Sequence, residues 1–503
     1  MVRGMMRPPL DIQDEGPGRG PLLPRVCVVG GGVAGLACAA RLAARGVPVD
    51  VFDQGSRGVG GRSSSSRPVT VAKERGGRSE GEPQPAPEPL TFDHGCQFFT
   101  ATDPAFKAAC EALRERGCVE VWDGVFGWLD AGTGAFTPKR ERAAPAGEDR
   151  RFTADGEDDF FGLLSADEVF VGAPAMTALC EGLRETARDA VGHWHVTVTR
   201  LELAPAGGGG ESERWIVAGV DRRQLDEGEA GSVERILGRY AAVVVSDVML
   251  AKKGTPGSCQ LLMPAVQAEH DVGLTPGGDD RETRDGYTET VVSRAWAAME
   301  RQPPSSLFSL MVAFPTKTSS PNASPTFDAA VVTGSEVVQL LVRHASKPGR
   351  GARTDGLELW TAVSTRRFAE RIVADAPLSV NGEYNPQTAA YLEAVTPTMV
   401  EEVRRVLGLA EARKVNDGSA TVGTVPDAVH AKSQRWGNAF PLRPMAIPSS
   451  SEDGVGMPFV WDRGVGFAAC GDFVAGAGIE AAFLSGEAAG AVVADVMLSR
   501  WRE

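Results

Sequence analysis

"RVCVVGGGVAGLACAARLAARGVPVDVFD", residues 25–53, reads as strand, glycine turn, helix and strand in one unbroken run. The apolar residues 26–29 are a strand buried on both faces, as in a parallel sheet, and 47–53 form a second. Between them lies an amphipathic helix that stops at Gly46. The turn carries Gly30, Gly32 and Gly35 in the order G-x-G-x-x-G. Gly30 allows the tight turn, Gly32 lets backbone approach a diphosphate, and Gly35 lets helix and strand pack closely. Val33 and Ala34 open the helix, whose unpaired N–H groups and dipole favour an anion. Asp53 ends the second strand about 20 residues beyond the glycines, where a carboxylate accepts hydrogen bonds from a ribose, and Gln54 follows it. The stretch therefore predicts a dinucleotide site.

Two further glycine-rich stretches decide which dinucleotide. "RGVGGRSSSS", 57–66, supplies Gly60, Gly61 and Arg62, a second exposed-backbone turn with a fixed cation suited to a diphosphate. "CGDFVAGAGIEAAFLSGEAAG", 470–490, places Gly471 and Asp472 after a strand, then Gly478 and Ile479 at the start of the last helix. A domain that holds a nicotinamide cofactor has no use for these additions. Asp472 beside a diphosphate must bind something neutral, and a hydroxylated ribityl chain suits it. The cofactor expected is noncovalent FAD, its ADP part on the first loop and its diphosphate-ribityl part on the last.

With 503 residues, 42% hydrophobic and 23% charged, the chain is long enough for two or three globular units. A formal charge of -14 argues against nucleic acid as the main partner, because phosphate needs a basic face. Eight cysteines show no C-x-x-C pair or zinc spacing, so reduced, buried thiols and no metal site are expected. Residues 1–24 lack the apolar segment of a secretory signal. The best candidate for a membrane span, 479–498, carries Glu480, Glu487 and Asp495, so no span is expected. The localisation expected is intracellular, cytoplasmic or plastid.

Stretches rich in Gly, Pro, Ser and charge at 63–89, 204–213, 277–286, 316–325 and 449–454 are expected to be mobile surface insertions. Strands are predicted at 195–204, 213–220 and 240–248, the first two as a hairpin. Helices are predicted at 104–116, 174–188, 365–374, 387–407 and 479–498.

The stretches "VVGGGVAGL", "GVGGRSSSS", "FDHGCQFFTATDPAF", "FVGAPAMTAL", "YAAVVVSDVMLA", "SKPGR", "QRWGNAFP" and "CGDFVAGAGIEAAFLSG" together resemble the renalase-like branch of the FAD-dependent flavin amine oxidase superfamily. The resemblance implies an α/β fold with a Rossmann-like FAD-binding domain of the glutathione-reductase/amine-oxidase type, discontinuous in sequence, with an inserted α+β substrate domain. The expected order is a disordered segment 1–24, FAD-binding parts at 25–100, 191–250 and 458–498, and substrate-domain parts at 101–190 and 251–457. His94, Gly95, Cys96 and Gln97 match the segment that passes the flavin ring. Val198 matches the residue whose backbone pairs with adenine, and Trp436 and Phe440 match the wall of the flavin face and substrate cavity. Asp53 stands where relatives often have Glu, Cys96 where they often have Ala, and "VSDVML" where many have a small, apolar A-x-P.

What the resemblance implies for function is hydride transfer from a small reduced substrate, a reduced nicotinamide or its isomer among the candidates, to flavin N5, followed by reoxidation by oxygen or another acceptor. His94, Gln97, Trp436 and Phe440 are the candidate catalytic residues. Two alternatives stay open: an amine, polyamine or isoprenoid oxidase or desaturase, and a non-catalytic flavin-binding protein. Amine oxidation favours a lysine that relays a water to the flavin, and Lys347 is the one candidate. The four tyrosines, Tyr240, Tyr287, Tyr384 and Tyr391, all lie outside the segments where amine oxidases keep their aromatic cage.

Overall fold

The computed structural model describes residues 23–55, 58–70, 88–141, 159–205, 213–223, 233–255, 257–264, 290–303, 305–316, 327–351, 353–377, 379–380, 383–385, 387–412, 425–445 and 457–502. Most of the five biased stretches, and residues 1–22, lie outside these. The ends of the 63–89 stretch are ordered, contrary to the reading of the whole stretch as a mobile insertion. Ser65 bridges Asp93 and Val69 bridges Leu90, because hydroxyls and backbone there find partners in the segment before His94.

Five strands, Phe467–Cys470, Ala242–Val245, Val26–Val29, Val49–Asp53 and Val191–Trp194, lie parallel in that order, with Phe459–Asp462 antiparallel on the first edge. The strands at 26–29, 242–245 and 467–470 are wholly buried, as continuous apolar runs in a covered parallel sheet should be. Helices Val33–Ala44 and Ile479–Arg502 cover one face. They meet backbone to backbone. A Cβ at Gly486 would stand 2.0 Å from the Ala34 carbonyl oxygen, and one at Gly490 2.7 Å from that of Cys38. Two glycines four residues apart share one helix face, which is why the last helix carries them there.

Ile479–Trp501 is, among the described residues, the one helix long and apolar enough by length and composition to cross a membrane, despite Glu480, Glu487 and Asp495. Of its apolar window, 56% is buried inside the protein.

The other face is covered by a four-stranded sheet ordered Arg235–Tyr240, Trp215–Asp221, Val196–Leu203 and Gln260–Leu262. The predicted hairpin is the antiparallel pair at its centre. The predicted 240–248 strand divides: Tyr240 ends a strand of this small sheet, and Ala242–Val245 enters the large one. The domain boundary expected at 251 also moves. Strand Gln260–Leu262 pairs with Val196–Leu203, and the unforeseen helix Val291–Arg301 buries Val292, Ala295 and Met299 in the same core. Those residues side with the nucleotide sheet because their apolar faces are spent there.

A seven-stranded sheet runs His430–Trp436, Leu307–Pro315, Leu357–Ser364, Val338–Arg343, Ala329–Thr333, Phe126–Asp130 and Phe136–Pro138. Helices Arg366–Asp375 and Ala389–Ala412 back it. Its opposite face, through Leu307, Leu340 and Val363, shares a core with Val33, Leu36 and Phe483 of the two nucleotide-side helices.

Candidate cofactor and substrate site

The parallel strands deliver their carboxyl ends to one edge, where an open-sheet α/β protein binds its ligand. Along that edge stand Asp53, the Gly30 loop, Ser246–Asp247 and Gly471–Asp472, one from each successive strand. All of them line a single cavity of about 1530 Å³, well beyond the roughly 300–1,000 Å³ of an ordinary small-molecule pocket. Trp436 and Phe440 line it too.

The first loop is built as its glycines require. Gly30 has φ +118° and donates its N–H to the Phe52 carbonyl at 2.8 Å. A Cβ on Gly35 would lie 1.9 Å from the Gly30 carbonyl oxygen, so this glycine packs beneath the loop rather than lining the cavity. Gly32 is the reverse case: a Cβ there meets no protein atom within 4 Å. It is the helix N-cap without a side-chain cap, and with Val33 and Ala34 it faces the cavity. Asp53 accepts from the backbone N–H groups of Gly31 and Gly55, both at 2.7 Å. Burial pushes its carboxyl above the usual range, against the pull of those two bonds. Gln54 also lines the cavity, against Gly257.

Gly60 (φ +130°) and Gly61 (φ +51°) bring Arg62 to the cavity wall. There the two charged residues also meet each other. Arg62 and Asp472, expected to meet different parts of a cofactor, form a two-pronged ion pair at 2.6 and 2.8 Å. The planar guanidinium matches the carboxylate, and Arg62 also donates to the Ala439 carbonyl. Gly471 (φ +140°) turns the chain into Asp472, and Gly478 (φ +126°) leads into Ile479. Glu480 then accepts from the Thr102 N–H and hydroxyl and the Asp103 N–H, tying the last helix to the start of helix Pro104–Glu115.

His94, Gly95, Cys96 and Gln97 all reach the cavity. Gly95 is wedged so that a Cβ would lie 2.1 Å from the Arg62 carbonyl oxygen and 3.1 Å from the Trp436 ring. Trp436 donates its indole N–H to the His94 carbonyl at 2.8 Å, and the His94 ring meets the indole edge-on at 5.3 Å between centroids. His94 Nδ1 lies 2.9 Å from the Ser64 carbonyl oxygen, a partner that can only accept, so this nitrogen carries a proton. Gln97 donates to the carbonyls of Asp93 and Gly95. Burial pushes the Cys96 thiol up to about 11. Val198, expected to meet adenine through its backbone, packs its side chain in the core between the two nucleotide-side sheets.

Sequence reasoning missed two features. Phe98, Phe160 and Phe161 extend the Phe440 wall, with ring centroids 6.4, 4.9 and 5.2 Å apart in the order Phe98, Phe160, Phe161, Phe440. Paired phenylalanines at 160–161 beside a biased stretch were the available signal. Asp247 also lines the cavity, and its departure from A-x-P was that signal.

Lys347 does not reach the cavity. It is 2% exposed and donates to Asp93 Oδ2 at 2.9 Å and to the Gln97 carbonyl at 2.7 Å, with the Trp122 ring beneath it. Asp93 also receives Arg350, the Ser65 hydroxyl and the Met176 N–H. Despite complete burial, the two cations hold its carboxyl far below the usual range. The ion cluster braces the His94–Gln97 segment from behind.

Residues 28–113 match the NAD(P)-binding Rossmann-like domain family. Among solved structures, an oxidoreductase from Methanosarcina mazei is similar at 12% identity and TM-score 0.51, over 92% of this chain and 98% of that one. Cyclohexylamine oxidase from Brevibacterium oxydans is similar at 13% identity and TM-score 0.50, over 94% and 99%. At these identities what is shared is the fold, an α/β architecture that includes a Rossmann-like domain and aligns over nearly the whole chain.

Proposed function

We propose that the protein is an FAD-dependent oxidoreductase that oxidises a small, planar, reduced substrate, with a dihydronicotinamide as the leading candidate. The observation that carries this reading is one continuous cavity lined by both the glycine loops and an aromatic wall. The residues fit the cofactor: the open backbone at Gly32 and the uncapped helix start at Val33 suit a diphosphate, Asp53 a ribose, and Gly95 the close passage of a ring. When bound, FAD supplies the redox chemistry, accepting a hydride equivalent that oxygen or another acceptor later removes.

The chain's own residues position the reactants and exclude water. Trp436 is held by the His94 carbonyl and, at 3.2 Å, by Ser309, so its ring is a rigid wall. The phenylalanine row offers apolar faces to a planar substrate. No residue need remove a proton, because a dihydronicotinamide gives up hydride by donation from its ring nitrogen. The amine-oxidase alternative loses its relay, since Lys347 is committed to Asp93 behind the wall. Among the described residues no tyrosine lines the cavity. The test is anaerobic mixing with reduced nicotinamides and, separately, benzylamine and spermine. Bleaching of flavin absorbance by the nicotinamides and not by the amines supports the reading, and the opposite pattern overturns it.

A further inference from the structure

The acids along the sheet edge are not equivalent. Asp472 is occupied by Arg62, and Asp53 receives two backbone N–H groups on the far side of the glycine loop. Asp247 is different. Its Oδ1 accepts the Met249 N–H at 2.9 Å, while among the described residues its Oδ2 has no hydrogen-bond partner and is open to the cavity. Neighbouring strands lie ~5 Å apart. Strand Ala242–Val245 pairs with Val26–Val29 on the side opposite Val49–Asp53, and the Ser246 hydroxyl donates to the carbonyl of Val29. Asp247 therefore stands one strand beyond the glycine loop, as Asp53 stands one strand before it.

That order matters for a dinucleotide laid across the edge. With a ribose at Asp53 and a diphosphate at Gly30–Gly32, the next part of FAD is its ribityl chain, and the next side chain is Asp247. We propose that Asp247, through Oδ2, is a carboxylate that accepts a ribityl hydroxyl of the cofactor, its second oxygen standing unpaired where both oxygens of Asp472 already accept from Arg62. The inference rests on the FAD reading above. The charged groups whose fields reach Asp247 are Arg62, Asp53 and Asp472, and Arg62 is the one that favours its charged form. A hydroxyl partner suits such a carboxylate, whereas a phosphate would add a third anion to one already facing two.

The experiment is titration of FAD-stripped wild type, Asp247→Asn and Asp247→Ala with FAD and with its 2′-, 3′- and 4′-deoxyribityl analogues, read by quenching of flavin fluorescence. Asp247→Asn keeps an oxygen for the Met249 N–H, and circular dichroism checks that the fold is intact. The proposal expects Asp247→Asn to bind FAD about tenfold more weakly than wild type. It also expects that difference to shrink to within about twofold for one of the three deoxy analogues, because carboxylate and hydroxyl act as a pair. FAD binding by Asp247→Asn equal to or tighter than wild type, or an equal loss on all four ligands, overturns the proposal while leaving the FAD reading in place. Wild-type protein that takes up no FAD overturns both.

Discussion

Replacing Asp93 by asparagine should be among the most damaging isosteric changes in the chain. Asp93 is fully buried and neutralises Lys347, itself 2% exposed, and Arg350. Asp93→Asn leaves two cations in a dry site, and breaking a buried pair from one side costs about 3–5 kcal/mol. Lys347→Met removes one buried cation but leaves Asp93 with Arg350, Ser65 and the Met176 N–H, so its cost should be about 1–3 kcal/mol. The double variant should cost less than the sum, since removing both charges removes most of the desolvation problem. Urea unfolding followed by tryptophan fluorescence, at one fixed excess of FAD, measures all three. The pH dependence has a definite sign. The Asp93 carboxyl is depressed in the fold, so its contribution is complete above the unfolded value of about 4 and is lost as the pH falls below it toward the depressed value. The gap between wild type and Asp93→Asn should therefore be constant near neutrality and narrow below about pH 4. An Asp93→Asn cost under ~1 kcal/mol, or a larger cost for Lys347→Met, would refute the reasoning.

Gly32→Val should leave the unfolding temperature of FAD-free protein nearly unchanged while abolishing FAD binding, because its side chain would enter only the cavity. Gly35→Val should lower the yield of folded protein itself, since its Cβ would collide with the Gly30 carbonyl. Asp53→Ala should weaken FAD by roughly ten- to hundredfold in a fluorescence titration. Trp436→Phe should keep full FAD content but slow anaerobic flavin reduction roughly five- to thirtyfold, the worth of one or two hydrogen bonds of ~1 kcal/mol each.

The glycine loops could be read in the chain because a tight turn, a close approach and a helix start are local demands that only glycine meets. Gly30, Gly32, Gly471 and Gly478 all line the one cavity, three of them at positive φ. Pairings across the chain could not be read that way. Arg62 and Asp472 are 410 residues apart, and each was assigned a separate partner because nothing local revealed the other. Lys347 and Asp93, 254 residues apart, posed the same problem, and a lysine that looked available for chemistry is a structural counter-ion. Val198 lies in the strand predicted for it, where periodicity sets which side chains enter the core. Helix Val291–Arg301 was missed because it follows directly on a long biased stretch, which hid the apolar face carried by Val292, Ala295 and Met299.

The most direct test of the central claim is the rate of flavin bleaching when oxygen-free protein is mixed with NADH and its isomeric dihydronicotinamides, measured from about pH 6 to 9. An amine in that window is mostly protonated and must lose its proton before oxidation, whereas a dihydronicotinamide has none to lose. The account predicts rapid bleaching by at least one dihydronicotinamide with a nearly flat pH profile, and no bleaching by benzylamine or spermine. Bleaching by an amine alone, with a rate that climbs with pH, would contradict it.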